Sequence, residues 1–116
     1  MVDSEKISAA WVKVLPYVLR TPIVQTDVFG LPLALKLEHM QHTGSFKARG
    51  AMNSLLSMDV PKVGLVAASG GNHGAAVAWA AARLGYKARI YVPEIAGPAK
   101  ITLIKNLGAD LVVVPG

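Results

Sequence analysis

Apolar positions along the chain change rhythm near residue 45. Before it, Ile7, Trp11, Val14 and Leu15 fall at helical spacing behind a candidate N-cap at Ser4. They predict a helix over residues 4–19, with its end weakened by Pro16. Apolar runs at 23–26 and 33–38, on either side of Phe29-Gly30, suit two short strands joined by a turn. After residue 45 the pattern alternates. Ser45 would cap a helix reaching about Met58, a strand follows at 63–68, and Gly70-Gly71 opens a turn. An alanine-rich helix over 72–84 ends at Gly85, which suits a helix C-terminus. A strand at 88–92, a helix from Gly97-Pro98 to Leu107-Gly108, and a strand at 111–114 complete the order. Continuously apolar strands alternating with helices predict an α/β fold, a parallel sheet with helices on both faces. Trp11 and Trp79 lie on apolar helix faces and read as core. A further crossover helix should follow a strand in such a sheet, so the chain reads as a truncated piece of a longer protein.

Composition narrows the function classes. The 116 residues suffice for one domain, and 53% hydrophobic content favours a packed core over disorder. There are no cysteines, which removes disulfides and thiolate metal sites and fits a reducing cytoplasm. The start, Met1 to Lys6, has neither the basic stretch nor the apolar run of a signal peptide. No apolar run approaches the roughly 18 residues of a membrane span. The net charge of +5 is scattered over Lys13, Arg20, Lys36, Lys62, Lys87 and Lys105, without a basic run or interleaved aromatics. That argues against nucleic acid and suits a site for anionic ligands. His39 and His42 lack the spacing and companions of a metal site and read as polar loop residues.

Two segments carry chemistry. Lys47 falls in the first turn of the helix that Ser45 would cap. A cation there is opposed by the helix dipole, and no carboxylate stands three or four residues away. That setting suits an amine that must react uncharged, although a lysine taken alone reads as solvated surface. The second segment, Ser69-Gly70-Gly71-Asn72-His73-Gly74, lies between a predicted strand and a predicted helix. Free N–H groups at a helix start bind anions, and glycines let a ligand approach the backbone. The plainer alternative is a tight turn with Asn72 as N-cap. Gly71-x-x-Gly74 with Glu94 is a poor dinucleotide fingerprint, since Ser69 replaces its first glycine and the acid comes late.

The run Thr43-Gly44-Ser45-Phe46-Lys47-Ala48-Arg49-Gly50-Ala51, with Lys36-x-Glu38-x-x-Gln41 upstream, resembles the lysine motif of fold-type II pyridoxal 5'-phosphate (PLP) enzymes. The serine/threonine dehydratase branch, which includes threonine ammonia-lyases and serine racemases, is the most similar. The resemblance implies a partial tryptophan synthase β-like fold. It assigns residues 1–40 to the larger domain and 41–116 to an incomplete smaller one. It makes Lys47 the catalytic lysine that binds the cofactor covalently. Asn72 would meet the ring oxygen of PLP. The substrate carboxylate would lie on Ser69, Gly70, Gly71, Asn72 and His73, with His73 acting through its backbone and its side chain structural. Gly70 stands where the similar racemases carry a serine that handles a proton on the face opposite the lysine. Its lack of a side chain favours one-base β-elimination.

The implied function is conversion of L-serine, L-threonine or a similar hydroxy amino acid to a 2-oxo acid and ammonia. The family's glycine-rich phosphate loop would lie beyond residue 116, so the bare chain is not expected to hold PLP productively. Apolar residues such as Leu33, Leu35, Val112 and Val114 should then lack partners, and the chain should self-associate as a homo-oligomer or pair with a missing C-terminal fragment. A catalytically inactive remnant that only self-associates is the alternative, with a dinucleotide-binding module behind it.

Overall fold

A computed structural model describes residues 1–116. Helix α1 spans Ser4–Val14. Asp3 rather than Ser4 caps it: the Asp3 carboxylate accepts from the Lys6 N–H at 2.9 Å. The helix stops well before residue 19. Pro16 has no N–H to continue the ladder, and the chain leaves in a turn in which the Val18 N–H still donates to the Val14 carbonyl at 3.2 Å. Strands β1 (Ile23–Thr26) and β2 (Leu33–Lys36) form an antiparallel hairpin, with Ile23 opposite Lys36 and Thr26 opposite Leu33.

The second half carries the alternating elements. Helix α2 spans Lys47–Ser57 and buries Ala48, Ala51, Met52 and Leu55, the i, i+3, i+4, i+7 stripe of an amphipathic helix. Strand β3 (Leu65–Ala68), helix α3 (Asn72–Leu84), strand β4 (Ala88–Pro93), helix α4 (Pro98–Asn106) and strand β5 (Asp110–Val114) follow. Gly85, in the left-handed region at φ +78°, closes α3. Strands pair in the order β3-β4-β5, all parallel, with Leu65 beside Ala88 and Arg89 beside Asp110.

The α/β class and the parallel pairing are as the apolar rhythm predicts. Helix cover is met on one face only. Strand order never reverses, so right-handed crossovers place α3 and α4 on the same side, and the two helices pack together. On that side Ile90, Val92 and Ile104 are fully buried. On the other, Val66 and Arg89 are exposed. Helix α2 packs on α3 rather than on the sheet. Sandwiched in this way, α3 is buried nearly all round, which explains its run of alanines: Ala75, Ala76, Ala78, Ala80 and Ala81 are each at most 1% exposed. Its start lies so close to the sheet that a Cβ on Gly74 would sit 3.0 Å from the Ser69 carbonyl oxygen and 3.2 Å from Ile90 Cγ2. No helix is long and apolar enough to cross a membrane.

Trp11 departs from the core expectation. It is 37% exposed, because α1 covers only the outer side of α2, and the Arg49 guanidinium lies 5.6 Å from its ring centre. Trp79 is half-buried and stacks on His42 with ring centres 4.9 Å apart.

Candidate active site

The Lys47 segment is anchored from three directions. Gln41 is buried, and its amide treats Leu19 as a strand neighbour would. Gln41 Oε1 accepts from the Leu19 N–H at 2.9 Å, and Nε2 donates to the Leu19 carbonyl at 2.8 Å. Glu38 takes the Arg49 guanidinium on both carboxylate oxygens and the Thr21 hydroxyl on Oε2. His42, stacked on Trp79, ties the same stretch to α3. Lys36, Glu38 and Gln41 therefore form a clamp, with the Lys36 amine donating to the Thr21 carbonyl at 2.6 Å.

Between clamp and helix the chain turns a corner. Thr43 and Gly44 are consecutive left-handed residues, at φ +65° and +79°. A β-branched residue held there costs about 1–3 kcal/mol, and the Thr43 hydroxyl is buried without a hydrogen-bond partner. Nothing in the hydrophobic pattern signals this strain. The corner delivers Ser45, which is buried and whose hydroxyl accepts from the Lys47 N–H at 3.3 Å. Phe46, not Ser45, occupies the N-cap position proper, in helical conformation.

Glu38 titrates abnormally. Its hydrogen bond to Arg49 holds the carboxyl down at about 2, from 4.5, against desolvation, with the Thr21 hydroxyl and the charges of Arg49 and Lys36 assisting. A depressed carboxyl contributes stability that is complete above the unfolded value and lost as pH falls through the folded one. The chain should accordingly weaken between about pH 4.5 and 2. Arg49→Met should cost about 2 kcal/mol by stranding the half-buried carboxylate and should flatten this acid limb. Urea midpoints across the pH range are the check, and an unchanged acid limb in the variant would remove the pair from this role.

Lys47 opens the helix and is exposed, with its amine 5.1 Å from the Phe46 ring centre. Ion pairs form between Arg49 and Glu38 and between Arg89 and Asp110, so Lys47 has no carboxylate partner. It lines a groove of about 400 Å³ with Ala51, Leu55, Leu65, Val77 and His73. His73 thus stands exposed at the groove.

The Ser69–Gly74 turn forms one end of α3. Gly71, not Asn72, is the N-cap residue. Asn72, His73 and Gly74 open the helix and leave N–H groups without intrahelical partners. The Ser69 hydroxyl accepts from the Gly71 N–H at 3.2 Å, which leaves its own proton free to donate. Asn72 is not among the residues that line the Lys47 groove; its Oδ1 accepts from Lys100 Nζ of α4 at 2.5 Å. Lys47 and His73 are brought to one groove, while Ser69, Gly70, Gly71 and Asn72 line the adjoining turn. An unpaired amine beside an apolar groove, next to free N–H and O–H donors, fits the aldehyde of PLP at one end and a carboxylate at the other.

Comparison with known proteins points to the same cofactor. The family described as pyridoxal-phosphate dependent enzyme matches residues 14–116. L-threonine ammonia-lyase of Thermotoga maritima is 42% identical over 97% of this chain and 30% of its own length. Maize serine racemase superposes with a TM-score of 0.89 at 36% identity, over 99% of this chain and 37% of the other. A threonine deaminase from T.th. does so at 0.85 and 41%, over 97% and 37%. The chain belongs to the pyridoxal-phosphate dependent enzyme family, which sets aside the dinucleotide reading. It spans about a third of the length of these relatives.

Proposed function

We propose that this segment supplies the reactive lysine and the carboxylate-binding turn of a PLP-dependent ammonia-lyase acting on L-threonine, L-serine or a similar hydroxy amino acid. The observation that carries the reading is the unpaired Lys47 amine, in one groove with His73 at the start of α3. PLP, when bound, supplies an electron sink for charge developing at the substrate α-carbon. Lys47 would hold the cofactor through its aldehyde carbon and, once the substrate amine takes its place there, the freed Lys47 amine would take the α-proton. The β-hydroxyl leaves as water, and hydrolysis of the resulting enamine gives a 2-oxo acid and ammonia. Ser69 and the N–H groups of Gly70, Gly71, Asn72 and His73 hold the substrate carboxylate at the positive end of α3. Asn72 would meet the ring oxygen of the bound cofactor.

The same reading places residues 1–40 with the larger of two domains and 41–116 in the smaller. It assigns the protein to the cytoplasm, as the lack of cysteine suits.

Elimination is favoured over racemisation by Gly70. It has no side chain to serve as a second base. A Cβ there would meet Pro93 Cγ at 3.1 Å, Pro93 Cδ at 3.2 Å and Ala96 Cβ at 3.5 Å. With the polypeptide extended to the length of its relatives, 2-oxo acid release from L-threonine or L-serine should exceed D/L interconversion by about a hundredfold or more, the loss expected when one positioned acid or base is missing. Coupled assay of the oxo acid beside chiral chromatography gives both rates, and comparable rates would defeat the one-base reading. Gly70→Ser should raise racemisation only if the Pro93 ring yields.

A further inference from the structure

Lys100 is the third residue of α4, where a cation opposes the helix dipole. It is half-buried, and both ion pairs of the protein are made by other residues. Its one side-chain hydrogen bond goes to Asn72 Oδ1, at 2.5 Å. This contact joins the β3–α3 turn to the β4–α4 turn. The two turns already pack closely, with Gly70 against Pro93 and Ala96.

A side-chain amide has an acceptor end and a donor end, and an ammonium can engage only the acceptor. Lys100 therefore decides which way the Asn72 amide is flipped. With Oδ1 taken, Nδ2 is the end left to a ligand. An amide free to rotate would present its oxygen to the same ligand part of the time, which an anionic partner would reject. We propose that Lys100 is a positioning residue that locks the Asn72 amide so that Nδ2 donates to an anionic aryl oxygen, the ring oxygenate of PLP. Its uncompensated charge also favours the anionic form of that oxygen. The proposal rests on Asn72 being the ring-oxygen contact.

The lock can be read without any cofactor. Asn53, Asn72 and Asn106 are the only asparagines, so the Asn72 side-chain amide is assignable in a ¹⁵N spectrum of this chain by its loss in Asn72→Ser. In the wild type the bond to Oδ1 should move the Asn72 Nδ2 resonances away from those of a free asparagine amide. Lys100→Met should collapse them toward the positions of a free amide, and Lys100→Arg, which also donates to Oδ1, should restore them. Backbone amide positions report whether each variant keeps its fold. Should the methionine variant disturb them, Lys100→Gln set against Lys100→Arg makes the same comparison. An Asn72 amide unchanged on loss of the cation overturns the lock. In a polypeptide completed to the length of the relatives, added PLP should shift the Asn72 Nδ2 signals when Lys100 is present and shift them less in Lys100→Met. If the lock is present but PLP moves nothing, the assignment of Asn72 to the ring oxygen falls and the Lys100 contact stands as a structural one.

Discussion

Lys47→Ala should abolish covalent attachment of PLP and all measurable lyase turnover in a polypeptide completed to the length of the relatives. The side chain is asked for two things: a bond to the cofactor aldehyde and removal of the substrate α-proton. Loss of a positioned base alone costs about 10²- to 10⁴-fold, and loss of the covalent anchor adds to it. Stability should barely change, because the side chain is exposed and has neither ion-pair nor hydrogen-bond partner to lose. Borohydride reduction in the presence of PLP, followed by peptide mass mapping, separates this site from the other seven lysines: Lys6, Lys13, Lys36, Lys62, Lys87, Lys100 and Lys105. Turnover retained in Lys47→Ala would remove it from the reaction.

The second large effect concerns association. As a 116-residue chain, the protein should not remain monomeric at micromolar concentration. One face of the β3-β4-β5 sheet carries no helix. Val66 on that face is 70% exposed, and Val63 just before β3 is 84% exposed. Parallel sheets are ordinarily covered on both faces, and an open strand edge templates pairing with another chain. Leu35 on the hairpin, 40% exposed, adds apolar surface elsewhere. Light scattering should report more than one chain per particle. Val66→Lys, by denying burial of one valine and charging the open face, should weaken association by roughly tenfold or more. A well-folded wild-type monomer with a cooperative melt would refute this.

Much of the fold after residue 45 was legible because its signals are local. Alternating apolar runs, Gly85 at a helix end and Pro98 at a helix start each fix one boundary through backbone chemistry that needs no tertiary partner. The N-terminal helix ends earlier than its apolar spacing predicts because Pro16, which weakens the predicted end, stops the backbone ladder outright. Trp11 misled for a different reason: helical spacing identifies an apolar stripe, not whether anything packs over it.

In the site, Lys47 and the Ser69–His73 turn announce themselves by residue type. The contacts that hold them do not. Glu38 and Arg49 are eleven residues apart, Gln41 and Leu19 twenty-two, and Asn72 and Lys100 twenty-eight. Only the folded chain brings such pairs together. The strain at Thr43 is likewise invisible in the residue alone, since threonine has no preference for positive φ.

The bonds between Gln41 and Leu19 have an engineering use. They tie off the segment between them at its base, so the β1–β2 hairpin is held as a closed loop with its own tip facing water; Phe29 and Leu31 are 74% and 64% exposed there. Lengthening a loop whose ends are already fastened is cheap, about 0.6 kcal/mol for each doubling. Between Gly30 and Leu31 the chain therefore offers a port where a fluorescent peptide or an affinity tag can be inserted while the geometry around Lys47 is left alone.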